Sequence, residues 1–337
     1  MIESVASPGR PLRASRPAAF GWHSDVLQAD SRGRRLPLTM HLNPTISKRT
    51  GMRCILFTGW LTALILTPST ASAEKKKTFP REVVPGVVQL AELPKHDFKE
   101  CSGLVASRQF PGVLWTHNDG QDRRLFAINR RGQKLAEFEV QGVLIWDFEE
   151  LSIDATNRLY VADIGNNLEI RPSLAVHRLA EPDPKGKGGA LKVERSWVLR
   201  FPARSFNAEG LVIQGDHGFL IRKLGKGKKA ELYRWPLSAD TTITLEDIGK
   251  LEIMSPVTGA ALSRDGSRLG LTANDGVYWL PCAGGVEKAI GPTPIHVPFK
   301  LGQIEGCDFA EDGLLVVSET RELFLFKNPP LVAEPAK

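Results

Sequence analysis

The sequence predicts an all-β fold: a single β-propeller, most simply of five four-stranded blades, with its ring closed by an N-terminal strand. Three observations carry this reading. First, a turn motif recurs in which polar residues lead to a Gly, or once a Glu, and then to an apolar strand. It appears as Glu100-Cys101-Ser102-Gly103-Leu104, Asp147-Phe148-Glu149-Glu150-Leu151, Asn207-Ala208-Glu209-Gly210-Leu211, Pro256-Val257-Thr258-Gly259-Ala260 and Gln303-Ile304-Glu305-Gly306-Cys307. Second, the anchors at 103, 150, 210, 259 and 306 are 47, 60, 49 and 47 residues apart, the period of a propeller blade. Third, the chain between anchors breaks into short β-rich runs bounded by Gly, Pro, Asn and Asp. No long 3.6-residue period occurs outside one N-terminal apolar run, which argues against a helical or Rossmann-type domain. A sixth blade would need a sixth turn, and the 60-residue step is the only place with length to spare.

Residues 1–51 are rich in Arg, Pro and Ser. They read either as a disordered leader or as the result of a start assigned too early, with translation beginning at Met52 or Met40. Residues 52–73 read as a signal peptide: a basic start, an apolar run too short for a membrane anchor, then Ala71-Ser72-Ala73 as a cleavage site. The expected address is therefore export, periplasmic or extracellular, with no membrane span after cleavage. The formal net charge of +6 belongs to this part of the chain. The first 73 residues hold nine Lys/Arg against three Asp/Glu, leaving 35 of each in the remainder. No nucleic-acid or anionic-membrane partner is expected of so neutral a protein, and a monomer is expected.

Within the remainder, residues 74–81 form a charged, flexible start. Val83–Leu90 reads as a strand without a blade of its own, the candidate clasp that completes the last blade and removes an open edge. Blade one reads as Leu104–Ser107, Val113–Thr116, Arg124–Asn129 and Lys134–Val140. Blade two reads as Leu151–Asp154, Arg158–Ala162, Leu174–Leu179 and Lys192–Phe201, with the Pro/Gly/Lys-rich run 181–189 as a surface loop. Blade three takes Leu211–Gln214, Gly218–Ile221, Ala230–Trp235 and Ile248–Ile253. Blade four takes Ala260–Ser263, Arg268–Thr272, Gly276–Leu280 and Ala289–Pro298. Blade five has Cys307–Ala310, Gly313–Val317 and Glu322–Lys327 and lacks a fourth strand, so the propeller spans 82–330 with a tail at 331–337. Cys54 leaves with the signal. Cys101 and Cys307 lie on turns that ring closure makes neighbours, so they read either as a disulfide or, with Cys282, as three small buried hydrophobes.

Aligning the turns on their anchors gives two polar columns. One residue before the anchor stand Ser102, Glu149, Glu209, Thr258 and Glu305; three before it stand Glu100, Asp147, Asn207, Pro256 and Gln303. In a propeller both would ring the mouth of the central channel. Carboxylates gathered there repel unless a cation or protons neutralise them, and an oxygen-only set suits Ca2+. The candidate metal ligands are therefore Glu100, Asp147, Glu149, Glu209 and Glu305. The loops after the second strand of each blade should share this face. They supply Asn118, Asp119, Asp163, Asn166, Arg222, Lys223, Asn274, Asp275 and Glu319 as candidate contacts to a small-molecule or protein ligand. Candidate acid/base residues are His117, Asp119 and Glu209. A structural reading stands beside each of these: a Glu before a Gly can hold its own turn, Asn-Asp-Gly is ordinary turn chemistry, and a single His is often a polar surface residue. No serine-hydrolase elbow, phosphate loop or HExxH motif is present.

The succession CSGL, DFEEL, AEGL, VTGA, IEGCDF resembles the SdiA-regulated propeller family, over about 82–328. That resemblance implies an exported propeller. Asn207-Ala208-Glu209-Gly210 is also similar to the exported propellers known as esterase-like phytases, which implies a calcium-dependent phosphoesterase, although no dense phytase-type Asp cluster can be placed. Two functions follow as expectations. One is a module that binds a cation and a ligand. The other is a metal-assisted hydrolase of phosphoric or carboxylic esters. A propeller accommodates either.

Overall fold

The computed structural model describes residues 77–186 and 188–328, so the expected leader, signal peptide and C-terminal tail lie outside the described residues. After a hairpin of β1 (Arg81–Val84) and β2 (Val87–Glu92), blade one is built from β3 (Cys101–Ala106), β4 (Val113–Asn118), β5 (Arg124–Asn129) and β6 (Lys134–Gln141). Blade two follows as β7 (Phe148–Ile153), β8 (Arg158–Asp163), β9 (Ser173–Ala180) and β10 (Gly189–Arg200). Blade three is β11 (Ala208–Gln214), β12 (His217–Arg222), β13 (Glu231–Pro236) and, beyond a short β14 (Thr242–Thr244), β15 (Glu246–Lys250). Blade four is β16 (Val257–Leu262), β17 (Arg268–Ala273), β18 (Gly276–Pro281) and β19 (Ile295–Pro298). Blade five is β20 (Ile304–Ala310), β21 (Gly313–Ser318) and β22 (Glu322–Lys327). Its fourth strand is β2, antiparallel to β22 in the register Val87↔Phe326 and Val88↔Leu325. The N-terminal segment is thus the expected clasp, with β1 folded back outside it.

Three details depart from the sequence expectation, the first being that the fourth strand of blade three lies at Glu246–Lys250 rather than Ile248–Ile253. The run 181–189 does not end as free loop. Gly189 opens β10, and Gly189–Lys192 pairs parallel with Phe138–Gln141 of β6, joining blades one and two at their outer edges. The last strand of blade four is short: Ala289, the expected first residue, ends a 3-10 turn (Val286–Ala289), 290–294 are irregular, and β19 begins only at Ile295.

Apolar packing falls into five clusters, one at each seam between blades. Trp115, Phe138 and Phe148 fill the first seam, Trp197, Phe206 and Trp235 the second, and Ile221, Leu251 and Leu271 the third. Trp279, Phe299 and Phe326 fill the fourth, and Phe98, Phe126 and Leu323 close the ring at the fifth. Inner strands are flanked by blades on both faces, which is why they read as small and apolar without alternation. Cys101, Cys282 and Cys307 are free and buried, the second of the two options, and burial pushes their thiols up, to about 12 for Cys101 and about 11 for Cys282.

The five inner strands β3, β7, β11, β16 and β20 lie against one another around the axis, with β20 meeting β3. At the anchor level they approach too closely for a side chain. A Cβ at Gly259 would stand 2.6 Å from the Glu305 carbonyl oxygen, and one at Gly103 2.6 Å from the Leu151 nitrogen. Blade two alone carries a side chain there. Glu150, with no exposed surface, reaches across the axis. Its Oε1 accepts the N–H groups of Leu151 (2.9 Å) and Leu104 (3.3 Å), and its Oε2 that of Ala260 (2.9 Å). Burial holds this carboxyl well above the usual carboxylate range, and the three N–H groups pull the other way. One side chain therefore ties blades one, two and four and floors the channel. Glu150→Ala should cost about 3 kcal/mol or more, since it strands buried N–H groups and opens a void. Glu150→Gln should fall between it and the wild type. Urea denaturation checks the ranking; a Glu150→Ala protein as stable as wild type would refute it.

A candidate cation site at the channel mouth

Above Glu150 the three Glu of the first polar column converge, and the loops after the second strand, expected on this face, supply a further column over them. In every blade the first residue of the loop after the second strand, or in blade two the second, donates its N–H to the carbonyl of the residue three before the anchor. The bonds are Asp119 to Glu100 (2.8 Å), Gly165 to Asp147 (3.2 Å), Lys223 to Asn207 (3.0 Å), Asn274 to Pro256 (3.1 Å) and Glu319 to Gln303 (2.8 Å). This repeated bond brings Asp119, Lys223 and Glu319 over the mouth. There, with Ser102, Glu149, Asn167, Glu209, Gln303 and Glu305, they line a cavity of about 220 Å³.

The first column divides by chemistry. Its hydroxyls stitch neighbouring blades: Ser102 Oγ donates to the Glu149 carbonyl (2.6 Å) and Thr258 Oγ1 to the Ile304 carbonyl (2.7 Å). Its three Glu side chains point into the cavity. In two blades, an amide two residues earlier serves the Glu. Asn207 Nδ2 donates to Glu209 Oε1 (3.2 Å), and Gln303 Nε2 donates to Glu305 Oε1 (2.9 Å) and to Glu319 Oε1 (2.7 Å). Glu209 also has a cation of its own, because Lys223 Nζ lies 2.6 Å from both of its oxygens.

Blade two has neither device. Where the other two blades place an amide, it places Asp147, a second acceptor. The carboxylate of Glu149 is only 5% exposed and has no hydrogen-bond or ion-pair partner among the described residues. Gly165 makes room for the pair, since a Cβ there would strike Asp147 Oδ2 and Glu149 Oε1. One oxygen each from Asp119, Asp147 and Glu149 lies within 4.8 Å of the others. Burial first, then the neighbouring acids, raise Asp119, Glu149 and Asp147, the last to about 6.

Several sequence candidates lie elsewhere. His117 is interior, not at the mouth. Its Nε2 accepts the Gly103 N–H (2.9 Å), its Nδ1 faces the Asn118 carbonyl (2.8 Å), and its ring stacks on Phe148 with centroids 3.5 Å apart. Burial lowers its pKa to about 3, so it is a neutral strut rather than an acid/base group. Asn118 holds the segment before β3 through the Lys99 N–H and the Asp97 carbonyl. Asp163 pairs with Arg171 and accepts the N–H groups of Trp146 and Asp147. Asn166 binds Ser205 and the Ile170 N–H. Arg222 is committed to Glu231 and Glu169, and Asp275 to Tyr278. Asn274 and Glu100 are exposed at the rim, outside the cavity lining. Asn167 and Gln303 were missed as site residues, although Gln303 stood in the second column.

No family model matches the chain, and no curated protein matches its sequence. Among solved structures it is similar to a virginiamycin B lyase from Staphylococcus aureus, solved as an inactive variant with quinupristin. That likeness has 12% identity and a TM-score of 0.38, over 68% of this chain and 66% of that one, just under two thirds of its length. It is similar to a gluconolactonase from Xanthomonas campestris at 14% identity and TM-score 0.40, over 72% and 80%. It is also similar to a glucose dehydrogenase at 12% identity and TM-score 0.45, over 72% and 99%. At these scores the likenesses decide nothing about activity, and the propeller assignment rests on the ring of sheets itself.

The raised acids set a pH dependence. Burial and the Glu209 charge push Glu305 to about 9, and burial leaves Glu209 at about 7 despite Lys223. A carboxyl whose folded pKa exceeds its unfolded value gives stability that is full below about pH 4.5 and lost as pH climbs through the folded pKa. His117 works the other way, but its contribution is complete above about pH 6.5. Metal-free protein should therefore lose denaturation midpoint steadily between about pH 7 and 9. A midpoint that is flat or rising across that window would contradict these environments.

Proposed function

We propose that this is an exported propeller whose channel mouth binds a divalent cation, Ca2+ in particular, and through it a small ligand or partner. The observation that carries the reading is the buried, unpartnered Glu149 beside Asp147 and Asp119. An uncompensated buried carboxylate is costly, and blades three and five compensate theirs while blade two does not. The residues fit the ion. All three donors are hard oxygens. Their 4.8 Å limit of separation matches a shell whose oxygens sit about 2.3–2.6 Å from Ca2+ and so up to about 5 Å apart. Asp119, Asp147 and Glu149 would hold the cation, with Asn167 at the edge of the same cavity. When bound, it would offset two of the three charges and offer open positions to ligand oxygens. Glu209 and Glu305 would act as the fixed wall, since Lys223 and Gln303 already occupy them.

Nothing favours the hydrolase reading over binding, because His117 is interior and Glu209 is tied to Lys223. Export suits the site as well, since extracellular calcium modules work with affinities of roughly 10⁻⁴–10⁻³ M. Calcium at about a hundredfold excess over its dissociation constant should raise stability by about 2.7 kcal/mol, and chelator should remove that gain. Glu149→Gln should lose most of the response while staying folded. A wild type that melts identically in calcium and in chelator would end this reading.

A further inference from the structure

Among the described residues the four most exposed large apolar side chains are Leu144, Leu168, Ile170 and Trp146, at 80, 79, 76 and 63%. All four lie on the two loops of blade two that also supply Asp147, Gly165 and Asn167 to the mouth. Trp146 directly precedes Asp147, and Leu168 directly follows Asn167. A hollow of about 240 Å³ beside them is lined by Leu144, Trp146, Pro172 and Val198 among others.

The loops are pinned with these side chains facing outward. Asp163 Oδ1 accepts the N–H groups of Trp146 (3.1 Å) and Asp147 (2.9 Å), and both Asp163 oxygens bond Arg171, each at 3.0 Å. Arg171 also donates to the Gly165 carbonyl (2.7 Å), and its guanidinium carbon lies 5.8 Å from the centre of the Trp146 ring. Asn166 Oδ1 accepts the N–H groups of Ile170 and Arg171. A shelf clamped this firmly cannot fold its apolar groups away, and a rigid apolar patch beside a polar cleft marks a ligand surface.

We infer that shelf and mouth form one site for an amphiphile with a carboxylate or ester head and an apolar body. The inference rests on the cation reading above. Three carboxylate side chains leave a hard cation short of the six to eight oxygens it takes, so the head oxygen completes its shell. Lys223 is spent on Glu209 and does not compete for the head. The body lies across Trp146, Leu168 and Ile170.

Trp146 reports on this directly. Trp115, Trp197, Trp235 and Trp279 are buried, and a Trp146→Leu protein supplies the blank for every other tryptophan in the chain. With calcium present, sodium octanoate should shift Trp146 emission to the blue and protect it from acrylamide, saturably, and acetate should not. Leu168→Ser should weaken the response roughly tenfold or more, and chelator should weaken it too. If calcium raises the melting temperature but octanoate leaves Trp146 unmoved, the shelf inference falls and the cation reading stands. If octylamine gives the same response as octanoate, the head is wrongly assigned. If Trp146 emission instead follows protein concentration, the shelf joins copies of the chain and the inference is overturned. If calcium has no effect on melting, both readings fall together.

Discussion

Five inner strands meet at an axis too narrow for a Cβ, and the organisation of the molecule follows from how that space is filled. Four anchors are glycine, and the fifth sends in a carboxylate whose two oxygens collect N–H groups from three blades. The channel is thus a cup with a floor at Glu150 rather than a pore. Further along, Asp308 closes the seam between the last and first blades by accepting the Ala106 N–H (2.6 Å). Its burial leaves it with a pKa of about 6. Polar groups that cross blades in this way fix the order and spacing of the ring, while the five apolar seams supply most of the stability.

A ring this tight forces the turn residues of every blade into one small volume, and the electrostatics of the mouth are the result. Blade three answers its buried Glu with a lysine and an amide. Blade five answers with an amide and a high pKa. Lys223, despite the burial that would lower it, is held up by Glu209, Glu305 and Glu149, so the protein's own counter-charge is already in use. Blade two adds an acceptor where blades three and five place a donor, and a glycine where the other blades place a side chain. Both changes favour an exogenous cation, and the apolar shelf grows out of the same two loops.

The ring was legible because it depends on local signals that repeat: an anchor Gly, an apolar strand, a turn. The clasp was legible because blade five visibly lacks a strand and the run expected at Val83–Leu90 had nowhere else to go; the pairing strand itself is Val87–Glu92. The convergence of Glu149, Glu209 and Glu305 followed from ring closure alone. Side-chain direction was not legible. Asp163, Asn166 and Asn118 sit in or beside polar loops of the expected kind, yet each bonds loop backbone, Asn166 that of its own loop, Asn118 that of the loop before β3 and Asp163 that of the loop before β7, and composition cannot separate that from facing a ligand. His117 read as a polar loop residue because the next residues are Asn-Asp-Gly, whereas it is the last inward side chain of its strand. Glu150 was in plain view as the one anchor that is not glycine. Its role needed the axis distance, which no sequence spacing contains.

The central claim is that blade two binds a cation because Asp147 takes the place of a donor. Asp147→Asn restores the arrangement of blades three and five, putting an amide two residues before the buried Glu. Thermal melting of this variant with calcium and with chelator tests the claim most directly. The metal-free variant should melt above the metal-free wild type, because a repulsion has become a hydrogen bond, and calcium should no longer shift it. A variant that melts lower than wild type without metal, or that keeps the full calcium shift, would contradict the account.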